Sequence, residues 1–153
     1  MALRIEKPGR REEYTLEADR ESSQPTVFEL RPLTWEEMAE VNEHAPMTQE
    51  QAVKVAAIVA PTRAEKRDLS PDEIARIAEV APMDAAYTRR STKQAAIAVR
   101  YGVTGIRGLL DSDGNPQDMS SVEFAKSAPA SVLRELGGQI IRLSRLEETL
   151  IKK

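Results

Sequence analysis

The stretch Thr26-Val27-Phe28-Glu29-Leu30-Arg31-Pro32-Leu33-Thr34-Trp35-Glu36-Glu37 decides how the rest of the chain is read. Its first half alternates with period two. Phe28 and Leu30 share one face and Glu29 and Arg31 the other, the pattern of a half-exposed strand. Pro32 has no N–H to give to a ladder, so it ends the strand or confines it to a sheet edge. Thr34-Trp35-Glu36-Glu37 then has the form of a capping box. The threonine hydroxyl satisfies a free helical N–H, and a glutamate three residues on reaches back to the cap. Everything after this point carries helical signals, so the fold class is mainly α: about five helices with a small N-terminal β element, a hairpin or short strands, and a polar N-terminal arm.

Towards the N-terminus, residues 1–25 form that arm. Arg10–Glu13 and Glu17–Glu21 hold little that a core would take. Two short alternating pieces interrupt them, Leu3/Ile5 and Tyr14/Leu16, and they are the visible pairing partners for the strand. An arm, a loose hairpin and a disordered segment all fit this composition. Residues 26–153 read as a single helical domain with one short strand at its start.

Towards the C-terminus, Thr48-Gln49-Glu50-Gln51 repeats the capping form and opens an alanine- and valine-rich helix to about Ala60, before Pro61. Ser70-Pro71-Asp72-Glu73 is the strongest start signal. It combines a cap, a proline at the first helical position and two acids at the positive end of the helix dipole. Ile74 and Ile77 mark the stripe expected to be buried. Asp84 caps a longer helix to Tyr101, with Gly102 expected to stop it in the left-handed conformation. Asp111-Ser112-Asp113-Gly114-Asn115-Pro116 is a turn by its Asp-Gly and Asn-Pro dipeptides. A short helix over Ser121–Lys126 follows. The last helix begins near Ala128-Pro129 and runs to about Thr149, with Leu133, Leu136, Ile140 and Leu143 on one apolar seam. Gly137 and Gly138 each cost about 1 kcal/mol against alanine inside a helix, and close approach of another backbone is the reading that explains them best.

Composition narrows the function. The chain has 153 residues, a formal net charge of −3 and no cysteine. That excludes disulfides, thiolate metal sites and cysteine nucleophiles. The acidic balance argues against a general nucleic-acid binder, and no run approaches the ~18 apolar residues of a membrane span. Six aromatic residues (Tyr14, Phe28, Trp35, Tyr87, Tyr101 and Phe124) and much alanine predict a thin core that a partner could complete.

No catalytic constellation emerges. Counted from Asp111, the glycine of the Asp-x-Asp-Gly element falls at the fourth position and Val122 at the twelfth, which fails the EF-hand rule of glycine at six and glutamate at twelve. His44 is the sole histidine. A charge at the negative end of a helix explains it, and a general-base role would need a nucleophile that nothing supplies. Gly102, Gly105 and Gly108 lead into Leu109-Leu110 rather than Lys-Ser/Thr, so they make no phosphate loop. We therefore expect no cofactor and no metal site. The candidate protein-binding residues are Phe28, Leu30, Trp35, Leu133, Leu136, Ile140 and Leu143. Arg89, Arg90, Lys93 and Arg100 form a candidate charged interface for phosphates or an acidic partner, without the interleaved aromatics of a single-strand binder.

Two stretches carry a resemblance. One is Pro25-Thr26-Val27-Phe28-Glu29-Leu30-Arg31-Pro32-Leu33-Thr34. The other runs from Val99-Arg100-Tyr101-Gly102-Val103-Thr104-Gly105-Ile106 through Leu110-Asp111-Ser112-Asp113-Gly114-Asn115-Pro116. It continues to Ala130-Ser131-Val132-Leu133-Arg134-Glu135-Leu136 and Ile140-Ile141-Arg142-Leu143-Ser144-Arg145-Leu146-Glu147-Glu148. Together they resemble small morphogenesis proteins of tailed bacteriophages, including tail assembly chaperones and minor tail or neck components of the virion. The resemblance implies no catalysis and no cofactor. It implies binding to other tail or neck proteins, or to further copies of the chain, in the host cytoplasm during assembly or in the virion itself. A chaperone and a permanent structural component both fit. From another class, a bacterial adaptor or regulator reading an acidic or nucleic-acid partner through the arginine face is the alternative.

Overall fold

The computed structural model describes residues 11–151, so the Leu3/Ile5 piece lies outside the described residues. The chain forms two compact units. The first joins the N-terminal part through Glu43 to the part from Thr92 onward, and the second is His44–Ser91. Among the described residues there are six α-helices and a three-stranded antiparallel sheet. The class is mainly α, with a small sheet near the N-terminus.

In the first unit, β1 (Glu12–Tyr14) and β2 (Val27–Leu30) pair antiparallel, with Tyr14 opposite Phe28. β2 is followed by α1 (Trp35–Glu43). The unit resumes in α4 (Ala85–Gly102), whose residues from Thr92 onward belong to it, then β3 (Val103–Arg107), α5 (Ser121–Ser127) and α6 (Ala130–Ile151). β3 is a partner the sequence reading does not contain. It lies antiparallel to β2, with Phe28 opposite Ile106 and Leu30 opposite Val103. β2 is thus the central strand. Pro32 ends it rather than placing it at an edge, and Arg31 donates its backbone N–H to the Gly102 carbonyl at 2.8 Å.

Period two then does what it implies. Tyr14, Phe28, Leu30 and Val103 are buried on the sheet's inner face, over Ala95, Ala98 and Val99 of α4 and Leu133, Leu136, Ile140 and Leu143 of α6. Phe28 and Phe124 of α5 pack as tilted rings with centroids 5.3 Å apart, a favoured aromatic arrangement. The polar groups inside are matched. The Ser144 hydroxyl accepts the Leu33 N–H and donates to the Ile140 carbonyl, both at 2.8 Å. The arm from Arg11 onward takes part in this unit, because the Tyr14 hydroxyl and the Glu17 N–H both donate to the Glu135 carboxylate, at 2.8 and 3.0 Å. Burial, and then that carboxylate, push the Tyr14 phenol above its ordinary pKa.

Two glycine readings divide. Gly137 is a close approach, as its place in the helix suggests. Gly102 ends α4 without a left-handed φ. What it supplies is space, since a Cβ there would lie 2.5 Å from Ile140. Among the described residues the left-handed glycines are Gly108 (φ 76°) and Gly114 (φ 83°), both in turns.

The second unit contains α2 (Gln49–Ala64), α3 (Pro71–Val80) and the first turns of α4, to Ser91. Thr48 and Ser70 form complete capping boxes with Gln51 and Glu73, and the Asp84 carboxylate caps α4 by accepting the Tyr87 N–H at 2.9 Å. α2 does not stop before Pro61. It runs one further turn to Ala64 with the proline inside. The proline removes one i→i−4 hydrogen bond from the ladder, and the buried Thr62 hydroxyl beside it donates to the Val59 carbonyl at 2.7 Å. The Gln51 side-chain amide donates to the Val80 carbonyl at 3.2 Å, tying α2 to α3.

Candidate functional site

The site follows from how α3 spends its apolar residues. Ile74, Ile77, Ala78 and Ala81 recur at steps of three and four and so share one side of the helix. Ile77 and Ala81 are buried, but Ile74 is 54% exposed, against the expectation that it belongs to the buried stripe. The unit is too small to cover the whole stripe. Its described buried residues are Thr62, Glu73, Ile77 and Ala81. A groove with a cavity volume of about 230 Å³ remains, lined by Leu69, Ile74, Ile77, Ala78 and Met83. Met83 is 59% exposed at its end.

The backbone beneath the groove is held firmly. Arg67 donates to both oxygens of Glu73, Nη1 to Oε1 at 2.6 Å and Nη2 to Oε2 at 3.2 Å. Glu73 also accepts the Ser70 N–H at 2.9 Å, and Arg67 contacts Glu65 as well. The hydrogen bond from Arg67 and then that from Ser70 hold the Glu73 carboxyl down to about 2, against a weaker opposing effect of burial. The Arg67 guanidinium is shifted upward, first by its hydrogen bond to Glu73 and then by that to Glu65. This bidentate arrangement is the strong form of an ion pair. It fixes the loop carrying Leu69 to the start of α3. All five lining side chains are apolar, so the groove offers shape and dispersion contact and no group to transfer a proton.

The residues singled out from sequence fall elsewhere. Phe28, Leu30, Leu133, Leu136, Ile140 and Leu143 are all buried in the first unit. Their seam is covered by the chain's own sheet and by α4, because β3 widens the sheet beyond what the sequence suggested. Trp35 alone among the seven is open, at 79% exposure in the first turn of α1. Arg89 and Arg90 are exposed in the second unit, and Lys93 is exposed on α4 in the first. Arg100 is occupied. Its Nη2 donates to Glu40 at 2.7 Å and to the Tyr101 hydroxyl at 2.8 Å, with the guanidinium 4.5 Å from the Tyr101 ring centroid. Burial lowers its pKa, and Tyr101 and Glu40 together outweigh that and raise it.

The remaining motifs are structural. Asp111 Oδ1 accepts the N–H groups of Asp113 and Asn115, each at 2.9 Å, so the Asp-x-Asp-Gly element uses its first carboxylate to close its own turn. Among the described residues no cluster of three or more His, Cys, Asp or Glu is placed to hold a metal ion. No helix among them is long and apolar enough to cross a membrane. His44 is half-buried just past the end of α1.

Sequence reasoning missed Leu69, Ala78 and Met83. The signal was present: Ala78 lies four residues after Ile74, and Met83 stands between Pro82 and the Asp84 cap, where it has no helix face of its own. No protein-family model matches the chain, and no curated protein or solved structure matches it.

Proposed function

We propose that this protein is a non-enzymatic component of tailed-phage morphogenesis that acts by protein–protein binding in tail or head–tail assembly, as a tail assembly chaperone or a small virion component. The observation that supports binding rather than chemistry is the groove of Leu69, Ile74, Ile77, Ala78 and Met83. Exposed apolar surface of this kind, concentrated in one place, marks interaction sites. The resemblance of the two quoted stretches supplies the biological setting. The occupied Arg100 weakens the arginine-face alternative, since one of its four cations is already paired.

The test is size-exclusion chromatography with light scattering on the purified protein, alone and mixed with tail and neck proteins from the same genome. Co-elution with a tail protein, together with absence from purified particles by mass spectrometry, identifies a chaperone. Presence in the particles identifies a structural component. No association with any tail or neck protein, and no trace in particles, would overturn the reading.

A further inference from the structure

The chain contains five methionines and no cysteine, so a peroxide that reaches it meets thioether sulfur and no thiol. Met1 lies outside the described residues, and the other four are unequally placed. Met38 and Met119 pack partly buried against the core of the first unit, and the Met119 sulfur also accepts the Ser127 hydroxyl at 3.6 Å. Met47 is half-buried. Met83 is 59% exposed, and it walls the groove beside Leu69, Ile74, Ile77 and Ala78, all within the second unit. The described methionine most open to solvent is therefore the one on which the groove's apolar lining depends.

We infer that Met83 is a peroxide-sensitive modification site that controls the groove. The inference rests on the reading of the groove as a binding surface and supplies its regulation. In the modification, a lone pair of the thioether sulfur attacks one oxygen of hydrogen peroxide. An S–O bond forms as the O–O bond breaks, the sulfur is oxidised by two electrons, and the other oxygen leaves as water. The product is a sulfoxide, polar and chiral where the thioether was apolar and flexible. The other lining side chains are apolar, so none of them offers the new oxygen a hydrogen bond. Held in the groove against an apolar guest, that oxygen stays unsatisfied. Turned to solvent, it takes the Met83 wall with it. Either way the guest is bound about tenfold more weakly. The fold is spared, because the Asp84 carboxylate caps α4 and Ile77 and Ala81 supply the buried contacts of α3. A methionine sulfoxide reductase reverses the change, with a dithiol oxidised to a disulfide and the oxygen released as water.

The experiment treats the full-length protein with increasing hydrogen peroxide and maps oxidation by peptide mass spectrometry. Parallel samples are titrated with benzene as the apolar probe, while the methyl resonances of Ile74, Ile77 and Met83 are followed. The Met83 peptide should gain one oxygen at lower peroxide than the peptides of Met38, Met47 and Met119. Over the same range the benzene affinity should fall about tenfold, with an unchanged circular dichroism spectrum. In Met83→Leu, the benzene response that remains should be indifferent to peroxide. In Met83→Gln, which carries a polar group at the same place, the response should be weakened without any peroxide. Oxidation of Met38, Met47 or Met119 before Met83 would overturn the inference, as would benzene binding that survives formation of the Met83 sulfoxide. No benzene response in the reduced protein would overturn it together with the reading of the groove as a binding surface. If a tail protein is released by Ala78→Arg but not by oxidation of Met83, the inference falls and the proposed function stands.

Discussion

Gly137 of α6 faces Ala95 of α4 so closely that a Cβ on Gly137 would lie 2.8 Å from the Ala95 Cα, whereas a Cβ on the adjacent Gly138 would meet nothing within 4 Å. The atom opposing Gly137 is backbone, so relief requires the two helices to separate. Gly137→Ala is expected to destabilise the protein by about 1–3 kcal/mol through overpacking. Gly138→Ala is expected to stabilise it by about 0.4–1 kcal/mol by restricting the unfolded chain. Urea denaturation of the two variants reads the difference. Equal effects of the same sign would contradict the asymmetry.

The α6 seam gives a second contrast. Leu136 and Ile140 have no exposed surface, so truncating either to alanine should cost about 2–5 kcal/mol. Trp35→Ala removes a larger side chain from solvent and should change stability by no more than about 0.5 kcal/mol. Thermal or urea unfolding of the three variants ranks them. A seam that served a partner instead of the chain's own core would show the small cost at Leu136 and Ile140.

What the sequence made legible were the features governed by neighbours along the chain. Thr34, Thr48, Ser70 and Asp84 cap helices through bonds to residues three positions on, and each does so in the structure. The alternation of Phe28 and Leu30 and the seam from Leu133 to Leu143 were legible as faces. What covers a face was not. Val103–Arg107 is a strand because β2 offers it a ladder; Val103, Thr104 and Ile106 favour a strand, but Gly105 in the middle and Gly102 and Gly108 at the ends make the run read as a connection. The same limit hid the groove, since the Ile74 periodicity shows that a side of α3 is apolar and not that the second unit leaves half of it open.

The turn at Asp111 yields a prediction about metal. Its carboxylate already accepts two backbone N–H groups, and the next acid, Asp113, is exposed. Asp111→Ala should cost about 1 kcal/mol, the usual net value of such bonds, and should speed amide exchange at Asp113 and Asn115. Millimolar calcium should leave the melting temperature of the native protein unchanged. A calcium-dependent rise that Asp111→Ala abolishes would assign the loop a binding role.

The Arg67–Glu73 pair makes stability depend on pH in a definite direction. The folded carboxyl titrates at about 2, below its ordinary value of 4.5, chiefly because Arg67 and then Ser70 donate to its ionised form. Between those values the unfolded chain binds the proton and the native one does not, so stability rises with pH across that window. The contribution of Glu73 is therefore complete above about pH 4.5 and is lost progressively as the pH falls towards 2. Glu73→Gln should lower stability at neutral pH and reduce the loss between pH 4.5 and 2, because the amide has no proton to gain. Arg67→Met should move the Glu73 titration back towards the ordinary range, read by carbon-detected magnetic resonance of its carboxyl. A native midpoint near 4.5 would mean that the bidentate pair does not persist in solution. The Leu69 loop would then lose its tether to α3, and the groove wall with it.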